Sequence, residues 1–235
     1  MSKKNNVWKF ENYEIKYSEA YEDSFYQDFI NNFQKNTKKR IFYKFIKRTF
    51  DIFASLFALI ILSPLLLGIA IAIKIDSKGP VLFKQSRIGL NGKIFTIYKF
   101  RSMRIDAPHD KIFEDFANPD SFYTKVGGFL RKTSLDEFPQ FLNVLKGDMS
   151  FVGYRPVLVS EEVSKQINGI RSALGVFEMR PGISGYAQVL GRNDVFYKNK
   201  SLMDAYYVKN ASVLLDLKLI FATVKVVLFR DGNNS

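Results

Sequence analysis

Between Asp51 and Lys74 the chain carries no charged residue: Ile52 to Ile73 reads IFASLFALIILSPLLLGIAIAI. As one continuous helix this run would reach about 33 Å at 1.5 Å per residue, close to the thickness of a bilayer's hydrocarbon core. A membrane segment is the expectation. A cleaved signal peptide fits poorly, because roughly fifty residues with many charges come first. Both flanks are basic, with Lys38, Lys39, Arg40, Lys44, Lys47 and Arg48 before the run and Lys74, Lys78, Lys84 and Arg87 after it. Short loops rich in Lys and Arg tend to stay cytoplasmic. Ser63 and Pro64 stand at the middle, where proline lacks the helical donor and clashes with the carbonyl four residues back. Two readings are open on these grounds. One is a re-entrant hairpin with arms Ile52 to Leu62 and Leu65 to Ile73, both ends returning to the cytoplasmic face. The other is a kinked single-pass anchor. In either, the Ser63 hydroxyl is placed to satisfy a backbone group that the proline frees.

The remainder must fold around that segment. With 47% hydrophobic and 15% aromatic residues the chain is too apolar for intrinsic disorder. Its 35 Lys and Arg against 23 Asp and Glu leave a charge of +12, which points to an anionic partner: nucleic acid, an acidic membrane surface or a phosphorylated substrate. Having no cysteine excludes disulfides, thiolate metal sites and thiol catalysis, and the lone histidine, His109, excludes His-rich metal sites. His109 sits in a polar stretch beside Pro108 and Asp110 and is assigned to an exposed loop.

Local patterns give the outline. Val81 to Gln85 and Ile94 to Tyr98 predict strands joined through Gly89-Leu90-Asn91-Gly92, with Asn91-Gly92 a hairpin signal. Helical patterns occur at 18–34, 38–50, 125–132, 138–145, 157–167 and 202–209. The apolar stretch 213–229 contains Asp216, Lys218 and Lys225, which favours an amphipathic helix on the membrane or in the core over a second crossing.

The chemistry centres on Thr133 to Pro139 (TSLDEFP), after Arg131 and Lys132. One reading is a capping box, with Ser134 as the cap and Glu137 three residues on. The other is functional: adjacent carboxylates Asp136 and Glu137 at a helix start, held ionised by the helix and Arg131, able to bind a divalent cation or attack phosphorus. Lys99, Arg101, Arg131, Arg155, Arg180 and Arg192 each lie near a turn signal, as residues presented to a phosphate would. Gly182-Ile183-Ser184-Gly185 and Gly191-Arg192-Asn193 are candidate phosphate-cradling loops. No GxxxxGK[ST] motif is present, so a P-loop nucleotidase is disfavoured.

Three stretches, KRTFDIFASLFALIILSPLLLGIAIAIKIDSKGPVLFKQSRIGLNGKIFTIYKFRSMR, LRKTSLDEFPQFLNVLKGDMSFVGYRP and RPGISGYAQVLGRN, together resemble the bacterial sugar transferases, the monotopic phosphoglycosyl transferases. The resemblance spans about residues 47–210 with its motifs in order. It implies transfer of a sugar 1-phosphate from a UDP-sugar to polyprenyl (undecaprenyl) phosphate at the cytoplasmic face of the bacterial inner membrane. UMP is released, and the step begins the assembly of a membrane glycan. By resemblance Asp136 is the nucleophile that forms a phosphosugar-enzyme intermediate, and Glu137 assists with Mg2+ and with protons. Lys99, Arg131, Arg155 and Arg192 correspond to phosphate-binding positions, Gln188, Gly191 and Asn193 to the nucleotide-sugar site. The family's break at a Ser-Pro pair falls on Ser63-Pro64 and favours the re-entrant reading. One departure is visible: Gly153-Tyr154-Arg155-Pro156 stands where the family has Gly-Pro-Arg-Pro.

The expected fold is α+β and mainly helical. It has an N-terminal extension of open role (1–46), a re-entrant membrane helix (47–75) and a cytosolic catalytic domain with a small β-hairpin and a C-terminal amphipathic helix (76–235). The partners expected are the UDP-sugar, the polyprenyl phosphate and anionic lipid, with no nucleic acid. The competing class is a non-catalytic, membrane-associated basic scaffold in which Asp136 and Glu137 only cap a helix.

Overall fold

A computed structural model describes residues 7–10, 13–16, 20–33, 40–107, 119–159, 162–191 and 196–229. Strands β1 (Val7–Phe10) and β2 (Tyr13–Lys16) pair antiparallel, and helix α1 (Asp23–Asn32) follows. Helix α2 (Ile41–Asp76) is the one described helix long and apolar enough to cross a membrane. Strands β3 (Leu82–Ile88) and β4 (Ile94–Phe100) form the expected hairpin. Its turn needs left-handed backbone, and Asn91 (φ 55°) and Gly92 (φ 74°) supply it. Helices α3 (Lys125–Thr133) and α4 (Gln140–Lys146) lead to β5 (Ser150–Val152), α5 (Glu162–Ala173), β6 (Gly182–Ser184), α6 (Tyr197–Asn210) and α7 (Val213–Phe229). The described chain is thus mainly helical with three two-stranded sheets, β5–β6 being the parallel one.

At Ser63-Pro64 the helix does not interrupt, so the two expected arms are parts of one helix, α2. Pro64 has no N–H for the carbonyl of Ile60, and the Ser63 hydroxyl donates to that carbonyl instead (2.7 Å). The two halves of α2 are tied to the rest of the protein at different places. Near the start, Arg48 donates to the carbonyls of Val144 and Leu145 at the end of α4, while Asp51 accepts from Ser150 Oγ and the Phe151 N–H. Near the end, Ile69 and Ile73 pack with Phe100 and Leu130, and Asp76 accepts from the Val126 N–H. None of residues 56–68 is buried.

The N-terminal segment is part of the core. Ile15, Tyr26 and Phe29 belong to the same buried cluster as Tyr154, Leu174, Val176, Leu202 and Met203, and each such side chain contributes about 1.5–3 kcal/mol by leaving water. Tyr26 donates to Asn199 Oδ1 (2.6 Å), and Asn199 in turn donates to the Lys16 carbonyl. The helix predicted over 157–167 begins instead at Glu162, because the segment before it is held to β3: Ile88 N–H donates to the Val157 carbonyl, and Arg87 bridges Leu158. Helix α7 buries Leu219 and Asp216 and exposes Leu214, Leu217, Phe221 and Val224, so its open face is largely apolar rather than polar, which departs from the amphipathic helix expected.

Candidate active site

Helix α3 stops at Ser134, which takes left-handed backbone (φ 58°, ψ 16°) and donates its N–H to the Arg131 and Leu130 carbonyls. That reversal leads into a single 3-10 turn, Leu135–Glu137, and Pro139, at φ −59°, opens α4. The capping-box reading is therefore corrected. Ser134 ends α3 rather than starting the next helix, its side chain caps nothing, and Glu137 reaches away from it.

What the turn presents is a pair of carboxylates in a cage of cations. Asp136 is 2% exposed. Glu137 Oε1 accepts from Lys99 Nζ at 2.7 Å and lies 3.4 Å from Arg155 Nη2; Arg131 Nη1 stands 3.6 Å from Asp136 Oδ2. Lys99 comes from β4, Arg131 from the last turn of α3 and Arg155 from the loop after β5, so three separate elements converge on the turn. Burial would raise the Glu137 carboxyl, but Lys99 and Arg155 outweigh it and bring it down to about 2. Asp136 goes the other way: burial raises it against the pull of Lys99, and its charged neighbour Glu137 adds to the rise. Burial likewise lowers the Lys99 ammonium, opposed by Glu137.

The Arg155 loop is rigid because each of its carbonyls is engaged. Arg171 donates to the Arg155 carbonyl (2.8 Å), Arg87 to that of Pro156 (3.4 Å), and the Ile88 N–H to that of Val157 (3.4 Å). Tyr154, at the family departure, is fully buried with its ring 5.5 Å from both Phe177 and the Arg171 guanidinium. The ring supplies by packing the stiffness that a proline would supply by its backbone. The loop begins at Gly153, where a Cβ would stand 2.3 Å from the Arg180 carbonyl.

The other sequence candidates divide. Arg101 is buried and donates to the Ser77 and Lys78 carbonyls, and Arg180 donates to the Gly147 carbonyl at the end of α4. Both grip backbone rather than a ligand site, a correction to the grouping made from turn signals. Gly182-Ile183-Ser184-Gly185 is not a free cradle: its first three residues are β6, and Cβ atoms at Gly182 and Gly185 would lie 2.1 Å and 2.0 Å from Gly153 backbone atoms. These glycines serve close strand contact. Gln188 donates to the Ile183 carbonyl (2.9 Å), and its buried Oε1 has no hydrogen-bond partner among the described residues. Gly191 closes the turn Ala187–Gly191, while Arg192, Asn193 and His109 lie outside the described residues. No cluster of three or more metal-ligating side chains occurs among the described residues. The dyad alone offers two hard oxygen donors, which suits Mg2+, an ion that takes one or two carboxylates and completes its shell with substrate phosphates and water.

A model of the bacterial sugar transferases matches residues 42–230. The chain belongs to the bacterial sugar transferase family. It is 42% identical over 214 residues to an undecaprenyl-phosphate galactose phosphotransferase of Salmonella typhimurium, covering 85% of this chain and 44% of that protein. It is 46% identical over 185 residues to a UDP-glucose:undecaprenyl-phosphate glucose-1-phosphate transferase of Klebsiella pneumoniae, covering 76% of this chain and 39% of that one. With the exopolysaccharide production protein PSS of Rhizobium leguminosarum bv. phaseoli the identity is 41%, over 79% of this chain and 96% of the relative. The chain thus spans less than half of the longer relatives and nearly all of a shorter one. The positioning residues of this sugar transferase, Arg171 and Arg87, escaped sequence reading. Arg87 was read only as part of the basic flank of the apolar run, and the role of both exists only through backbone carbonyls distant in sequence.

Proposed function

We propose that this sugar transferase moves a sugar 1-phosphate from a UDP-sugar to polyprenyl phosphate and releases UMP. The observation that carries the reading is the buried Asp136 carboxylate beside Glu137, under Lys99, Arg131 and Arg155. Three cations face two carboxylates there, which leaves positive charge for the phosphates of a donor and an acceptor. Asp136 Oδ attacks the sugar-bearing phosphorus, the bridging P–O bond breaks, and UMP departs with that electron pair. An oxygen of the polyprenyl phosphate then attacks the same phosphorus, the bond to Asp136 breaks, and the polyprenyl-diphosphate-sugar leaves. Splitting the transfer in two lets one carboxylate serve both halves. Glu137 stays ionised and orients Lys99 and Arg155. Asp136 and Glu137 would hold Mg2+, which would neutralise charge on the donor diphosphate. Arg192 joins the phosphate grip, and Gln188, Gly191 and Asn193 shape the nucleotide-sugar site. The names of the relatives from Salmonella and Klebsiella support the acceptor class, and the latter a UDP-sugar donor.

The α2 helix enters the membrane and returns to the cytoplasmic face of the inner membrane. Two observations support this: both halves are tied to one body, and no residue of 56–68 is buried. Positions 51, 55, 59, 62, 66, 69 and 73 share one helical face, so a helix lying flat along the body would bury 59 and 62 as well. The exposed lysines 44, 74, 78 and 84 flank the apolar run, where anionic lipid headgroups sit. Labels placed at residues 40 and 90 are expected to react from the same side; opposite sides would establish a spanning helix.

The decisive assay is Mg2+-dependent UMP release from a panel of UDP-sugars. Asp136→Asn should abolish it, and release at the parental rate would remove Asp136 as nucleophile. No release from the parental protein with any donor would favour a membrane-bound scaffold.

A further inference from the structure

We propose that the isoprenoid chain of the acceptor lies along four phenylalanines, Phe138, Phe141, Phe151 and Phe50, which connect the carboxylate dyad to the lipid-facing side of α2. The inference rests on the acceptor being a prenyl phosphate. Such a molecule has its head at Asp136 and its tail in the bilayer, so the tail must leave the dyad over apolar surface or be exposed to water.

The described residues hold a continuous aromatic route. Phe138 directly follows Glu137, and its ring centroid lies 5.7 Å from that of Phe141. Phe141 lies 5.5 Å from Phe151, and Phe151 lies 5.7 Å from Phe50. None of the four rings is fully covered by the protein, and Phe50 is 44% exposed. Beyond Phe50 the same helix exposes Phe53 and Phe57, which continue the apolar surface toward the bilayer.

Local structure explains the alignment. Positions 138 and 141 stand one helical turn apart and share a face with Leu142, which is 40% exposed. In β5 the side chains alternate, Ser150 and Val152 inward and Phe151 outward. The junction between domain and membrane helix is fixed by Asp51: its Oδ1 accepts from both the Phe151 N–H and Ser150 Oγ at 3.0 Å, which holds the neighbouring Phe50 ring against Phe151. Charge and polarity match a prenyl phosphate end to end. The dyad end has three cations, Lys99, Arg131 and Arg155, against two carboxylates, a net positive charge for the phosphate, and the far end merges with the exposed apolar face of α2. Aromatic rings also present large apolar area while losing few torsions on binding.

The test uses the full chain in lipid nanodiscs with a long-chain and a short-chain prenyl phosphate at saturating UDP-sugar. Phe141→Leu and Phe151→Leu keep the sites apolar and remove the rings. Each is expected to raise KM for the long acceptor about fivefold to tenfold and to leave KM for the short acceptor, which cannot reach Phe151, near the parental value. Phe129→Leu alters an exposed ring of α3 that is not one of the four and should move neither. An unchanged KM for the long acceptor overturns the proposal, as does an equal rise for both acceptors or the same rise in Phe129→Leu. Should either core-side variant fold poorly, Phe50→Leu, at an exposed position, reads the same route. UMP release by the parental protein with either acceptor is measured in parallel. Its absence would sink the transferase reading itself, whereas its presence with an unmoved acceptor KM sinks only the aromatic route.

Discussion

Among the described residues, two places bring a buried carboxylate against arginine, and they are built to opposite ends. Asp204 on α6 and Arg171 on α5 form a sealed pair, with side chains 1% and 3% exposed. One anion meets one cation, and the arginine's other contacts are the Arg155 carbonyl and the Tyr154 ring. At the dyad, two carboxylates meet Lys99, Arg131 and Arg155, of which the arginine side chains remain 39% and 50% exposed. The sealed pair has no charge or access left for a ligand. The dyad has an excess cation and an open side. Burial and pairing alone therefore do not mark a functional site; unmatched charge that solvent and substrate can reach does.

The comparison is broken most forcefully by removing each carboxylate in turn. Asp136→Asn should lower UMP release on the order of 10⁴-fold or more, as expected when a nucleophile is lost, with little change in the thermal midpoint. Asp204→Asn should do the reverse. It leaves Arg171 buried without its anion, a loss of about 3–5 kcal/mol in stability, while the protein that remains folded keeps far more UMP release than Asp136→Asn does, losing only what the loosened hold of Arg171 on the Arg155 carbonyl takes away. Thermal melts and initial rates normalised to folded protein distinguish the two. A folded Asp204→Asn protein as inactive as Asp136→Asn would erase the distinction.

Much of the dyad's surroundings could be read from sequence because the residues involved stand beside local signals. Asn91-Gly92 predicts the hairpin that carries Lys99, and the pair Asp136 and Glu137 stands out between two helical patterns, although as a helix start rather than the turn it occupies. The sealed pair was invisible. Arg171 and Asp204 sit within ordinary helical stretches 33 residues apart, and only tertiary packing joins them. The N-terminal segment was legible only in part: the helical pattern at 18–34 predicts α1, but nothing local shows that Ile15, Tyr26 and Phe29 enter the core with Tyr13, Tyr21, Phe25, Ile30 and Phe33 packed against them. The same limit misassigned Arg101 and Arg180. An arginine near a turn looks alike in sequence whether it awaits a phosphate or already caps a carbonyl. At Pro64 the local rule was sound for the hydrogen bond: Ser63 fills the place the proline leaves open, so helical structure continues through the pair, and the bend a proline allows is what the re-entrant reading draws on.

The smallest effect is also the one that most directly reads the dyad's unequal charges. Asp136 must be ionised to attack phosphorus, and burial together with Glu137 raises its carboxyl above the ordinary value of 3.8. Glu137, held at about 2, stays ionised over the whole working range and contributes no limb of its own. Single-turnover rates of UMP release should therefore fall toward acid with a midpoint above the ordinary carboxylate value. In Glu137→Gln the negative neighbour is gone, and Lys99 and Arg155 are no longer engaged by it. Both changes favour the charged form of Asp136, so the acid midpoint should move to lower pH even though the rate itself is reduced. Arg131→Gln removes a cation 3.6 Å from Asp136 Oδ2 and should move the midpoint the other way, by less, because that arginine is partly solvent-screened. A midpoint that stays fixed in both variants would mean that the limb belongs to another group, and that Asp136 is not the residue whose ionisation starts the transfer.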